Sequence, residues 1–348
     1  MVLGLVAFIL YLGFFVGFGG LFELLSKLNL YQYSLFISLA VVSLFLAVIF
    51  DSLIWHSLLS SLSVKIKLRK IVLYNWIGNF IELIVPSATI GGEVARIVLA
   101  QKETKDTGIA AGTVIGSRLI SALVYSGGLL AGFSLLLLTR QLPIYILTPV
   151  ILVTAGTATV IAIVLIVAYN ESKVEKVVNL FLWLARRIIR SPSKLEGFRL
   201  KIHNTLMSFS QVFKTFKENP RYLVKPVIYA IIAWIFNLVV FLMIFYSLNY
   251  TRISLTDLAT VYCIVSTVET VTAGFPVGAV EVTMTSLFSL YGVPIVIAGA
   301  ATTLARLVTF WSQILVGYPL VQWMGAKSLI NSNITMGFVM KAPILKEN

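Results

Sequence analysis

Apolar positions fall along this chain in long, nearly unbroken blocks. Blocks near 2–25, 33–55, 107–138, 143–169, 222–248 and 293–323 are each long enough to cross a bilayer, which takes roughly 20 apolar residues. Two further apolar regions, 71–101 and 257–290, are broken by Pro, Gly and Glu. They predict helical hairpins that enter the membrane and return. Irregular backbone is tolerated at that depth only where protein or a watery cavity surrounds it. The pattern predicts an all-α polytopic membrane protein with about six full spans and two re-entrant hairpins. Residues 1–325 form a single transmembrane domain in this reading, and 326–348 a short polar tail.

The connection 171–221 carries helical periodicity of its own. Val174, Val177, Val178, Phe181, Ala185 and Ile188 share one face. After Ser191-Pro192 a second stripe runs Leu195, Phe198, Ile202, Leu206, Phe209, Phe213 and Phe216, with Ser193 and Glu196 placed as a capping box. Asn219-Pro220 ends it. Two amphipathic helices are predicted, apolar faces in the lipid interface and basic faces toward phosphates. Packing under the membrane domain is the competing reading.

Basic residues set the orientation. Lys65, Lys67, Arg69 and Lys70 follow the second span, and eleven Lys and Arg residues lie in 171–221. Both loops are therefore expected in the cytoplasm, and both termini with them, in a cell membrane. The first hairpin then starts from the cytoplasmic side and the second from the outer side. That is an inverted repeat, an arrangement used for alternating access.

Composition agrees. Of 348 residues 59% are hydrophobic and 12% charged, with a mean hydropathy of +0.96, whereas a soluble domain is about a quarter charged. The net charge of +13 lies beside spans, where anionic headgroups sit, so nucleic acid is not an expected partner. The apolar N-terminus, without a basic leader, reads as a first span and not as a removed signal peptide. One cysteine, Cys263, excludes an intrachain disulfide, and two distant histidines, His56 and His203, make no recognisable metal site.

The candidate chemistry lies in the two hairpins. The first holds Glu82, Pro86, Gly91, Gly92, Glu93 and Arg96, followed by Arg118 in the next span. The second holds Glu269, Pro276, Gly278 and Glu281, followed by Arg306. Glu93 to Arg118 and Glu281 to Arg306 are both 25 residues. Charge in a bilayer is costly and tends to face a cavity. Pro86 and Pro276 end half-helices. Gly91, Gly92 and Gly278 permit a tight turn and close backbone approach. A returning half-helix would offer free amides to a phosphate, with Arg96 beside them. Met284 stands where Arg96 would have its counterpart, so the halves are unequal. On this reading Arg96→Ala abolishes transport and leaves folding intact. The other reading makes Glu93–Arg118 and Glu281–Arg306 buried ion pairs that only fix geometry.

Gly108, Gly112 and Gly116, then Gly128 and Gly132, form small-residue faces suited to close helix packing, and compatible with a homodimer. Tyr125, Trp311 and Gln313 are further polar-edged candidates for a cavity wall. Walker A, H-E-x-x-H and G-x-S-x-G motifs are absent. Asp51, Asp106 and Asp257 all read as lying near span ends. Neither a catalytic residue nor a cofactor or metal is expected.

At the hairpins the sequence resembles the transmembrane flippase-like domain of the lysylphosphatidylglycerol synthase family, in its stand-alone form. The resemblance rests on Asn79 through Pro86, Gly91 through Arg96, Pro276, Gly278, Glu281, Tyr291-Gly292-Val293 and Arg306 through Gly317. It implies two re-entrant hairpins meeting near the bilayer centre and movement of a polar-headed lipid between leaflets. The soluble aminoacyl-transferase domain has no counterpart here, so lipid lysylation by this polypeptide is not expected. The leading expectation is a lipid flippase for an anionic or lipid-linked headgroup. Rivals are a small-solute transporter, an intramembrane enzyme, and a membrane subunit recruiting a soluble synthase or glycosyltransferase.

Overall fold

The computed structural model describes residues 17–26, 28–85, 90–139, 192–271 and 278–324, with short stretches within 155–166 and a few isolated positions elsewhere. Among them every regular element is a helix. In chain order these are α1 (Phe18–Ser26), α2 (Leu30–Ser61), α3 (Leu68–Ile84), α4 (Ile90–Thr104) and α5 (Thr107–Thr139). Then come α6 (Pro192–Glu218), α7 (Arg221–Ser247), α8 (Leu255–Val271), α9 (Ala279–Leu290) and α10 (Ile295–Arg306). A π-helical turn (Leu307–Trp311) leads from α10 into α11 (Ser312–Trp323).

Four helical stretches among the described residues are long and apolar enough to cross a membrane: Leu30–Ser61, Thr107–Ala131, Arg221–Ser247 and Ile295–Trp323. They match four of the six expected spans. Most of the other two, 2–25 and 143–169, lies outside the described residues, as do Pro86, Pro276, nearly all of 171–191 and the tail 326–348.

The spans show which solvent they meet. Leu35, Leu39 and Val42 on α2, and Val224, Ile228, Ile231 and Ile235 on α7, are exposed at three- and four-residue steps. An exposed apolar stripe on each helix is costly in water and neutral in lipid.

α2 and α7 form the central pair and run antiparallel. Phe36 meets Tyr246 edge-on at 5.6 Å near one end, and Phe50 stacks on Phe236 at 5.6 Å further along. The N-terminal part of α2 (Ala40, Leu44) shares a core with α7–α10. Its C-terminal part (Trp55, Leu59) shares another with α3–α5, through Ile71, Ile77, Leu99 and Val114. Each half thus has its own core, and α2 spans both.

Local chemistry sets the helix ends. Asn29 caps α2, its Oδ1 accepting the amides of Tyr31 at 3.0 Å and Gln32 at 3.3 Å. Asp106 caps α5 through the amides of Gly108 (2.6 Å) and Ile109 (3.0 Å), while Ser208 of α6 donates to its other oxygen at 3.0 Å. Gly278 enters α9 with φ of +99°, a conformation that strains any residue with a Cβ.

α6 corrects one expectation. From Phe209 to Phe216 its apolar face packs on protein and not on a lipid interface. Phe209, Val212, Phe213 and Phe216 are buried, with Phe209 and Phe213 packed on Ala111, Ile115 and Leu119 of α5. Gly108 and Gly112 make this contact close: a Cβ on Gly112 would sit 2.9 Å from that of Val212. An amphipathic pattern cannot distinguish lipid from a grooved helix, and the glycines of α5 provide the groove.

Candidate functional site

α3 and α4 pack antiparallel as the two arms of a hairpin. Lys70 meets Glu103 at 2.7 Å at its base, outside the apolar region, and the ammonium holds the Glu103 carboxyl below its ordinary range. Asn75 faces Arg96 further in. Near the tip Gly92 lies so close that a Cβ there would be 2.6 Å from the Gly78 carbonyl oxygen. Gly91 and Gly92 fall inside the first turn of α4, which starts at Ile90. Gly92 thus serves close approach within a helix, not the loop.

This approach encloses Arg96, which is 2% exposed. Its Nε donates to Asn75 Oδ1 at 3.0 Å and its Nη1 to Glu93 Oε1 at 2.9 Å. Its Nη2 donates to Asn79 Oδ1, with Glu82 Oε2 at 3.6 Å. A Cβ on Gly78 would overlap the guanidinium, which explains the glycine. Arg118 of α5 completes the group, donating from Nε to Glu93 Oε1 at 2.6 Å. Its Nη1 lies 3.4 Å from Asp51 Oδ2 on α2, which also accepts from Asn75 Nδ2 at 2.9 Å.

The second half repeats the central bond. Arg306 Nε donates to Glu281 Oε1 at 2.7 Å, the same atoms as in Arg118–Glu93. Its Nη1 donates to Glu269 Oε1, and its guanidinium lies 4.6 Å from the centre of the Phe310 ring. Glu281 is 1% exposed. Its other oxygen accepts the Gly278 amide at 2.5 Å, closing the first turn of α9. Met284, in the place of an Arg96 counterpart, is buried in the core.

Both clusters open onto one cavity of about 270 Å³. Asp51, Glu82, Glu269, Arg118 and Arg306 line it, with Asn79, Tyr125, Asn237, Tyr262 and Gln313 among the polar groups. Of the sequence-predicted residues, Glu82, Arg118, Glu269 and Arg306 thus reach the cavity. Glu93, Arg96 and Glu281 stand behind them as partners. Tyr125 and Gln313 are on the wall, while Trp311 packs edge-on against Phe310 at 5.4 Å. The π turn carries Thr309 and Phe310 to the same wall; such turns recur at functional sites.

Asp51, Asn75, Asn237 and Tyr262 were not foreseen. Asp51 does not lie at a span end: α2 continues to Ser61, ten residues beyond it. Asn237 likewise lies ten residues before the end of α7. Among the described residues no group of three or more His, Cys, Asp or Glu is arranged to hold a metal.

A helical, multi-pass membrane protein with a charged cavity between two similar halves is the class these observations define. The chain belongs to the family of the lysylphosphatidylglycerol synthase TM region, whose model matches residues 1–317. It is 25% identical over 300 residues to a UPF0104 membrane protein of Pyrococcus horikoshii, covering 82% of this chain and 86% of that one. A UPF0104 membrane protein of Methanocaldococcus jannaschii is 26% identical over 290 residues, covering 81% and 83%. No solved structure matches the chain.

Proposed function

We propose that this protein moves a polar-headed, phosphate-bearing lipid between leaflets, the headgroup crossing through the cavity while the tails stay in lipid. The cavity carries this reading: three carboxylates and two guanidiniums line a space among spans whose outer faces are apolar. Its depth fits. Asp51 is ten residues from the end of α2, and Arg118 and Arg306 are each eleven from the start of their spans. At 1.5 Å per residue that is ~15 Å, half of a ~30 Å hydrocarbon core.

The hairpins are re-entrant in this account. α4 and α9 have 15 and 12 residues, or ~22 and ~18 Å, too short to cross. α3 starts at the end of the α2–α7 pair where α2 finishes, and α8 starts where α7 finishes. Because α2 and α7 are antiparallel, the hairpins come from opposite ends, yet Glu82 and Glu269 line the same cavity. This supports reading the hairpins as an inverted repeat, an arrangement used for alternating access. With the basic loop at 65–70 in the cytoplasm, the first hairpin enters from that side.

Arg118 and Arg306 hold the phosphate in this scheme. Arg96, whose donors are engaged by Asn75, Asn79 and Glu93, acts as a positioning residue by fixing Glu93 under Arg118. The test is translocation of headgroup-labelled phospholipid in proteoliposomes, wild type against Arg118→Gln. Arg118 is partly exposed, so its loss does not leave a sealed charge. Transfer is expected to slow about 10- to 150-fold, the worth of a charge-assisted hydrogen bond of ~1.5–3 kcal/mol. Equal rates would reject the phosphate role. Uptake of a soluble phosphate ester, with no lipid moving, would replace the lipid by a small solute.

A further inference from the structure

Among the described residues the charges around the cavity do not balance. Asp51 (α2), Glu82 (α3), Glu93 (α4), Glu269 (α8) and Glu281 (α9) face three guanidiniums, Arg96 (α4), Arg118 (α5) and Arg306 (α10). Among the described residues the other titratable groups on the wall are the phenols of Tyr125 (α5) and Tyr262 (α8). No lysine or histidine lines it among the described residues.

The excess divides evenly between the halves. Asp51, Glu82 and Glu93 stand against Arg96 and Arg118, and Glu269 and Glu281 against Arg306. In each half one glutamate bonds the span arginine from behind: Glu93 at 2.6 Å and Glu281 at 2.7 Å. In each half the other glutamate, eleven or twelve residues earlier in the chain, lines the cavity. Glu82 comes no nearer a guanidinium than 3.6 Å. Glu269 meets Arg306, and its side chain is 41% exposed.

One donor points to an anion. Arg306 is 2% exposed and lines the cavity, and its Nη2 is buried without a hydrogen-bond partner. A buried donor left unmade is costly, and a phosphate oxygen would satisfy it. Yet a phosphodiester adds a negative charge to a site already two in excess. Uncompensated charge in a low-dielectric interior costs several kcal/mol, so the anion must bring cations with it.

We infer that an anionic headgroup crosses together with protons carried on Glu82 and Glu269, and that a headgroup bearing its own ammonium uses it in place of those protons. This rests on the lipid-translocating reading above. Protons move from the bulk to a carboxylate oxygen of Glu82 or Glu269 on loading and return to the bulk on release. Acid favours the neutral carboxyl, so anion loading strengthens as pH falls.

The full chain is reconstituted with trace fluorescent phosphatidylglycerol or phosphatidylethanolamine, with and without a pH gradient acid on the starting side. Phosphatidylglycerol transfer is expected to rise toward about tenfold per pH unit for each proton taken up. Phosphatidylethanolamine should change less than about twofold. Glu82→Gln with Glu269→Gln, neutral and nearly isosteric, should abolish the gradient's effect on phosphatidylglycerol. Phosphatidylglycerol moving at one rate with or without the gradient would overturn proton coupling and leave lipid translocation standing. The wild-type comparison decides this even if the double variant fails to fold. If neither lipid moves, the translocation reading falls, and the coupling with it.

Discussion

Arg306→Ala is expected to destabilise the protein by about 3–5 kcal/mol and to stop transport. Arg306 is 2% exposed and bonds two carboxylates, Glu281 at 2.7 Å and Glu269. Glu281 is itself 1% exposed. Removing the guanidinium leaves that carboxylate buried without its cation, the costly half of a broken ion pair. Glu281 also accepts the Gly278 amide at 2.5 Å, so the first turn of α9 loosens with it. Arg306→Lys keeps the charge but cannot serve both carboxylates from a fork, and should fall between the two. Thermal unfolding in detergent measures the loss. Arg306→Ala combined with Glu281→Gln should recover part of it, because the buried charge is gone while the amide oxygen can still accept from Gly278. Transport should stay lost in the double variant. If the single and double variants unfold together, the pair does not bear the stability assigned to it.

The second large effect is at Arg96. Its place in the sequence, beside the hairpin turn, makes it look like a substrate ligand whose removal spares the fold. The geometry predicts otherwise. Arg96 is 2% exposed and bonds Asn75 at 3.0 Å, Glu93 at 2.9 Å and Asn79. Alanine would leave the Asn75 and Asn79 side-chain oxygens without their donor, take one of its two cations from Glu93, which keeps Arg118 at 2.6 Å, and open a void beneath Gly78. A loss of about 3–5 kcal/mol is expected from the buried oxygens left without a donor and from the void. Arg96→Met, the residue that stands in the matching place of the second hairpin, fills the space, and with Glu93→Gln it should unfold at higher temperature than Arg96→Ala. Arg96→Ala at wild-type stability would return Arg96 to the cavity.

What could be read from the sequence follows from what is local. Long apolar blocks mark the spans because lipid accepts little else. The Gly and Pro breaks mark the short helices α3, α4, α8 and α9 to within a few residues. The repeated 25-residue interval is an ion pair in both halves, at 2.6 and 2.7 Å between the same atoms. What stayed hidden depends on neighbours distant in sequence. Asp51 ends the apolar block, so it looked like a boundary, yet α2 continues to Ser61 and puts it on the cavity wall. Arg96 shares a face with Glu93 by simple helix spacing. Only α3, packed close at Gly78, brings the Asn75 and Asn79 side chains that enclose it. Nothing in the amphipathic stripe of α6 shows that its surface meets α5.

The most direct test is whether lipid crosses through this cavity. Thr309 lines it beside Arg306, and a cysteine there changes little volume. In a Cys263→Ser background, Thr309→Cys is reconstituted and lipid translocation followed before and after a bulky, membrane-impermeant thiol reagent. The account predicts translocation before labelling, arrest after it, and labelling from either side of the membrane. Complete labelling with translocation undiminished would contradict it.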